Sequence, residues 1–136
     1  MIQRVQTLWM ILGSLAVFLT IKFSFYSGTF ALDNTYQTVT ATDNFLILII
    51  TSALGTGIII NIFLYKTRSV QMRIIIAAIL VECLIIFMYI RETHKFSAGN
   101  FNLWAALHLL IIVFLVFAAK GIYNDSKLIK ESNRLR

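Results

Sequence analysis

Proline is absent from the 136 residues, cysteine occurs once, and six acidic residues stand against twelve Lys and Arg. Without proline no helix has a built-in kink of the kind that hinges many transport proteins. The lone Cys83 excludes an intrachain disulfide and a paired-cysteine redox or zinc motif. Charged residues make up only 13% of the chain, and no polar stretch is long enough to form a separate catalytic domain. Ser, His and acidic residues are present, but no nucleophile elbow or oxyanion loop accompanies them. His94, His108, Cys83 and Glu82 lack the spacing of metal-ligand pairs. The sequence therefore predicts neither an enzyme nor a cofactor or metal site.

What the chain has in abundance is apolar length. Its apolar share is 59% and its mean hydropathy +0.82, far above an ordinary soluble domain. A spanning helix needs about 20 mainly apolar residues to cross ~30 Å of hydrocarbon, and four runs meet that need, at about 5–21, 45–65, 74–90 and 101–119. The expected fold is a single all-α, four-transmembrane-helix antiparallel bundle covering residues 1–136. Bulky Lys22-Phe23-Ser24-Phe25-Tyr26 after the first run offers no small-residue cleavage site, so that run reads as a retained anchor. Asp43 is the expected N-cap of the second helix, Ser69 a candidate cap for the third, and Lys120-Gly121 the expected stop of the fourth.

Loop 22–43 contains Thr35-Tyr36-Gln37-Thr38-Val39-Thr40, rich in β-forming residues, and is expected to hold a short β-hairpin turned at Gly28 or Asp33-Asn34. The tail 120–136 mixes Ile122, Leu128, Ile129 and Leu135 with Lys127, Lys130, Arg134 and Arg136. A short helix on the membrane surface and a solvated tail are equally open readings of it.

Basic residues collect on alternate connections. Arg4, Lys66, Arg68, Arg73, Lys120, Lys127, Lys130, Arg134 and Arg136 fall on one side, and only Lys22, Arg91 and Lys95 on the other. By the positive-inside rule both termini are cytoplasmic and loop 22–43 faces out. The net charge of +6 then serves anionic lipid headgroups or a docking partner, with Arg4, Lys66, Arg68, Arg73, Lys127, Lys130, Arg134 and Arg136 as the contact residues. Nucleic acid is not an expected partner, because no recognition fold or continuous basic stripe is present.

Glu82 lies deep in the third run, where an acid costs about 2.5 to 3.5 kcal/mol on insertion scales. Residue counting puts His108 at the same depth, about 11 Å below the outer boundary, with Ser14 and Ser52 level with them. This polar layer has three readings. It is a clasp that fixes which helix faces meet, a proton relay through Glu82 and His108, or a site where Glu82 faces a foreign subunit. The clasp is favoured, since a route needs more polar lining and a hinge. In the second run Thr51, Ala53, Gly55, Thr56 and Gly57 give the small-residue spacing that lets helices approach closely.

The opening Met1-Ile2-Gln3-Arg4-Val5-Gln6-Thr7 and the ending Asp125-Ser126-Lys127-Leu128-Ile129-Lys130 with Asn133-Arg134-Leu135-Arg136 resemble a family of small integral membrane proteins of the Bacteroidota, a domain of unknown function. The resemblance spans the whole chain and departs at Asn133, where an acid is expected. It implies a multi-pass protein of the bacterial inner membrane and nothing catalytic. The expectation is a non-enzymatic accessory or assembly subunit that contacts lipid and another integral membrane protein. The alternative is a small proton-coupled carrier using the Glu82/His108 pair.

Overall fold

A computed structural model describes the backbone of residues 2–134 and the side chains of 5–131. Four helices, α1 (Ile2–Lys22), α2 (Phe45–Phe63), α3 (Arg68–Thr93) and α4 (Ala106–Arg134), alternate in direction. Each helix packs on its sequence neighbours, and α1 closes the ring against α4. Each is long and apolar enough to cross a membrane.

The reason they form one bundle is a three-and-four spacing of buried residues. On α3 it runs Gln71, Ile75, Ala78, Glu82, Ile85 and Tyr89, and on α4 His108, Ile111, Leu115, Ala118 and Ile122. On α2 Ile47, Thr51, Leu54, Ile58 and Asn61 do the same. Mean steps of 3.5 residues on α2 and α4 and 3.6 on α3 keep a narrow seam facing the neighbours along the whole length, as in four-helix packing. The outward faces are also apolar, with Val5, Leu15, Ile60, Leu80, Phe87 and Leu109 all exposed. Helices apolar all round are those that sit in lipid.

The loop after α1 forms the expected hairpin, β1 (Tyr26–Phe30) and β2 (Tyr36–Val39), turned at Asn34 with φ 51°. A third strand, β3 (Phe96–Phe101), comes from the α3–α4 connection and pairs antiparallel with β1, giving the order β2-β1-β3. Gly28 is thus a strand residue and not the turn. It faces Gly99 across the ladder, and a Cβ there would lie 2.3 Å from the Ala98 carbonyl oxygen. The sheet covers one end of the bundle, where Phe25 stacks on Tyr89 at 4.6 Å.

Several expected boundaries move. Asp43 does not cap α2. Its Oδ2 accepts from the Thr40 N–H at 2.6 Å, and the adjacent Asn44 side chain caps the helix through the Leu46 N–H. The third helix starts before Ser69, with Thr67 preceding it, because Val70 and Gln71 N–H already bond the Thr67 carbonyl. The larger correction concerns Lys120-Gly121, which does not stop α4. Gly121 is helical, its carbonyl accepts from Gln6 Nε2, and a Cβ there would lie 2.7 Å from Gln6 Cγ. The glycine lets α1 approach α4, and the helix continues through the tail to Arg134.

Candidate functional site

Two polar levels interrupt the apolar seam. Near the sheet end, His108 Nδ1 and Glu82 Oε1 lie 2.6 Å apart across the α3–α4 interface, both buried. Tyr89, two turns after Glu82 on the same seam, brings its ring to 5.2 Å from the His108 ring. Phe25 meets the His108 ring edge-on at 5.4 Å. A buried ion-forming group needs a partner and exclusion of competing water, and the chain supplies the partner from α4 and the cover from the segment entering β1. Glu82 therefore faces the bundle interior.

Of the two serines expected in this layer, neither reaches the pair. Ser14 Oγ donates to the Gly55 carbonyl at 3.2 Å, tying α1 to α2. Ser52 Oγ donates to Leu48 of its own helix, because helical serine readily satisfies itself on the preceding turn. Thr51 Oγ1 and the Tyr89 hydroxyl are buried without a hydrogen-bond partner among the described residues. Equal depth along the membrane normal did not specify facing, and facing decides contact.

The second level lies toward the opposite end: Asn61, expected from the sequence to bond a neighbouring helix or interfacial water, bonds α3, whereas Gln6 and Gln71 were not foreseen. Asn61 Nδ2 donates to the Gln71 carbonyl, and Gln71 Nε2 donates to the Asn61 carbonyl, each at 3.2 Å. Met10 Sδ lies 3.8 Å from both amide nitrogens. With Gln6 on Gly121, polar contacts at this end involve all four helices. The signal was present, since Gln6, Asn61 and Gln71 are amides on mainly apolar seams, but it needs the seam to be read first. Between the levels α3 offers only apolar residues to the interior, Ile75 and Ala78. Eleven residues separate Gln71 from Glu82, ~16 Å of helix.

The small residues of α2 divide by face. Gly55 is buried, with the Phe18 ring where its Cβ would stand, and Thr51 also points inward. Ala53 and Gly57 instead line an apolar groove of about 340 Å³ shared with Ala77, Ala78 and Val81 of α3. Thr56 is exposed and bonds back to Ser52 and Ala53. A larger concavity, about 650 Å³ between α1 and α2, is lined by Leu8, Ile11, Ile62 and Phe63 and touches neither polar level.

The basic residues gather at the end away from the sheet. Arg68 pairs with Asp125 at 2.9 Å, fastening the start of α3 to the late part of α4. Arg68, Ser69, Arg73, Tyr123, Ser126 and Lys130 line a cleft of about 490 Å³. Arg73 bonds Ser69, Lys66 is exposed, and Lys127 reaches Glu131 at 4.0 Å. Such a cleft can hold an anionic headgroup through charge-assisted bonds. The side chains of Arg4 and Arg134, and Arg136 altogether, lie outside the described residues. Among the described residues no three His, Cys, Asp or Glu side chains gather as a metal site would require.

No curated protein and no solved structure matches the chain. The model of one family matches residues 2–135, nearly the full length. The chain, whose four helices are each able to span a membrane, belongs to that family, DUF4293, a domain of unknown function.

Proposed function

We propose that the chain is a non-enzymatic accessory or assembly subunit of a bacterial inner-membrane complex, with both termini cytoplasmic and the sheet outside. The observation that carries this reading is the open groove between α2 and α3, where Ala53, Gly57, Ala77 and Ala78 leave a concavity floored by the buried seam residues Leu54 and Ile58. In lipid, helices associate by close backbone approach at small residues rather than by a hydrophobic drive. A transmembrane helix of another protein fits that flank. The basic cleft at the other end supplies contact with anionic lipid headgroups on the cytoplasmic side.

Gly57 gives a clean test, because a Cβ built there meets no atom within 4 Å among the described residues beyond its own stretch of helix. Gly57→Leu is expected to leave the monomer folded and to remove a stoichiometric partner from mild-detergent purifications of tagged protein. Recovery of the same partner from both proteins, or of none from either, rejects the reading.

A second reading, a small proton-coupled carrier, draws on the buried Glu82–His108 pair itself. The apolar stretch between the two polar levels weighs against it. Liposomes carrying the chain decide the matter: a carrier shows pH-driven flux that Glu82→Gln abolishes, whereas the subunit reading expects no flux above empty liposomes.

A further inference from the structure

At the sheet end of the α3–α4 flank lies a cavity of about 350 Å³ whose wall includes Phe25, Ile86, Phe101, Ala106, His108 and Leu109. Its size falls within the range of about 300 to 1,000 Å³ typical of small-molecule sites, which pair apolar walls with a few placed polar groups. Among the described residues, His108 is the one ionisable side chain in that wall. The ring is 3% exposed, its Nδ1 is held by Glu82 at 2.6 Å, and Nε2 makes no hydrogen bond with a described residue. His108 lines the cavity, and with Nδ1 engaged by Glu82, Nε2 is the ring nitrogen left for a ligand.

The proton inventory sets what Nε2 offers. A net charge of zero is the cheapest state for a pair enclosed by apolar side chains, and it requires two protons on Glu82 and His108 together. A separation of 2.6 Å is shorter than the ~2.9 Å of a neutral N–H to carbonyl bond, so one proton lies between Oε1 and Nδ1. The other is on Nε2 in the ion pair and in the form in which Glu82 donates its proton to Nδ1, and on Glu82 Oε2 if His108 Nδ1–H donates to a protonated Glu82. In the first two states the cavity presents an N–H donor among apolar walls, and a ligand that meets it there brings an acceptor.

Depth and shape narrow the acceptor. Trp104 stacks on Phe23 at 3.9 Å just beyond the cavity's rim residue Leu103, the place of an interfacial aromatic pair. His108 follows Trp104 by four residues, ~6 Å deeper, below the level at which the ester groups of a phospholipid lie. Phe25 and Phe101 add aromatic surface for a flat ring. We propose that this cavity binds a lipid-soluble quinone, with one ring carbonyl accepting a hydrogen bond from His108 Nε2–H and the tail leaving along α4 into the bilayer. The site does not depend on the assembly role, since all its residues come from this chain.

The test uses the full chain with Trp9→Phe, so that Trp104 is the sole tryptophan, in nanodiscs of one zwitterionic phospholipid, titrated with a decyl-substituted benzoquinone. Saturable quenching of Trp104 is expected. Ala106→Leu fills the cavity and leaves Glu82 and His108 paired, and it should raise the half-saturating concentration about tenfold or more. Decylbenzene, which has the ring and tail but no carbonyl, should compete about tenfold less well, the worth of one hydrogen bond. Linear quenching that is the same in both proteins means partition into lipid alone and overturns the proposal. Equal competition by decylbenzene reduces the site to an apolar crevice and overturns the role of His108.

Discussion

Removing one member of a buried polar pair costs more than removing both, because the survivor is left without a partner in a medium that solvates it poorly. Glu82 and His108 are both buried and lie 2.6 Å apart, so His108→Phe is expected to cost about 3 to 5 kcal/mol. Adding Glu82→Leu should restore a large part of that loss. Thermal unfolding in detergent of the two single variants and the double gives the coupling directly, and strict additivity would show that the pair contributes nothing as a pair. Gln71 makes the same argument at the other level. Gln71→Leu removes a bond to the Asn61 carbonyl and a contact to Met10, a loss of about 1 to 3 kcal/mol for the group left unsatisfied. Because two apolar seam residues separate the levels on α3, the two sets of substitutions should add within about 0.5 kcal/mol.

At the scale of elements, helix existence was legible from apolar run length, and helix ends were not. The α4 extension shows why. Lys120-Gly121 has the chemistry of a helix stop, but a glycine also permits close approach, and the Gln6 side chain occupying the space beside it is contributed by a residue 115 positions away. Local sequence does not distinguish these uses. The hairpin was legible from Thr, Tyr and Val in the loop. Its third strand was not, since Phe96-Ser97-Ala98-Gly99-Asn100-Phe101 is short and becomes a strand only because β1 offers it an edge. Likewise Glu82 and His108 were matched by depth and do meet, whereas Ser52 at the same depth turned back on its own helix. The sheet has its own test in Gly28, where the Ala98 carbonyl and the Gly99 Cα occupy the space a side chain needs. Gly28→Val should separate β1 from β3 and raise amide hydrogen exchange in 26–30 and 96–101, while helix content by circular dichroism stays unchanged. Fast exchange spreading into α2 and α3 would mean that the sheet holds the bundle together.

For the whole molecule, the two ends differ in kind, and that difference is the ground for the orientation proposed above. One end has the sheet, the stacked Phe23–Trp104 pair and few bases. The other has the Arg68–Asp125 pair, Arg73, Lys127 and Lys130, and the last turns of a 29-residue α4. At ~1.5 Å per residue that helix is ~43 Å long against ~30 Å of hydrocarbon, so in the proposed orientation its basic C-terminal part would stand out of the bilayer beside the start of α3. Basic residues are retained on the cytoplasmic side during insertion, and anionic lipid of that leaflet attracts them by about 1 kcal/mol each near the surface. Both effects act in one direction. With Cys83→Ser removing the native thiol, Thr38→Cys on β2 should react with a membrane-impermeant maleimide in intact spheroplasts, and Ser126→Cys on α4 should react only after permeabilisation. The opposite pattern would invert the molecule, place the basic cleft outside and remove the lipid contact proposed for it. Labelling of both sites in intact cells would deny a fixed orientation and, with it, any single docking flank for a partner subunit.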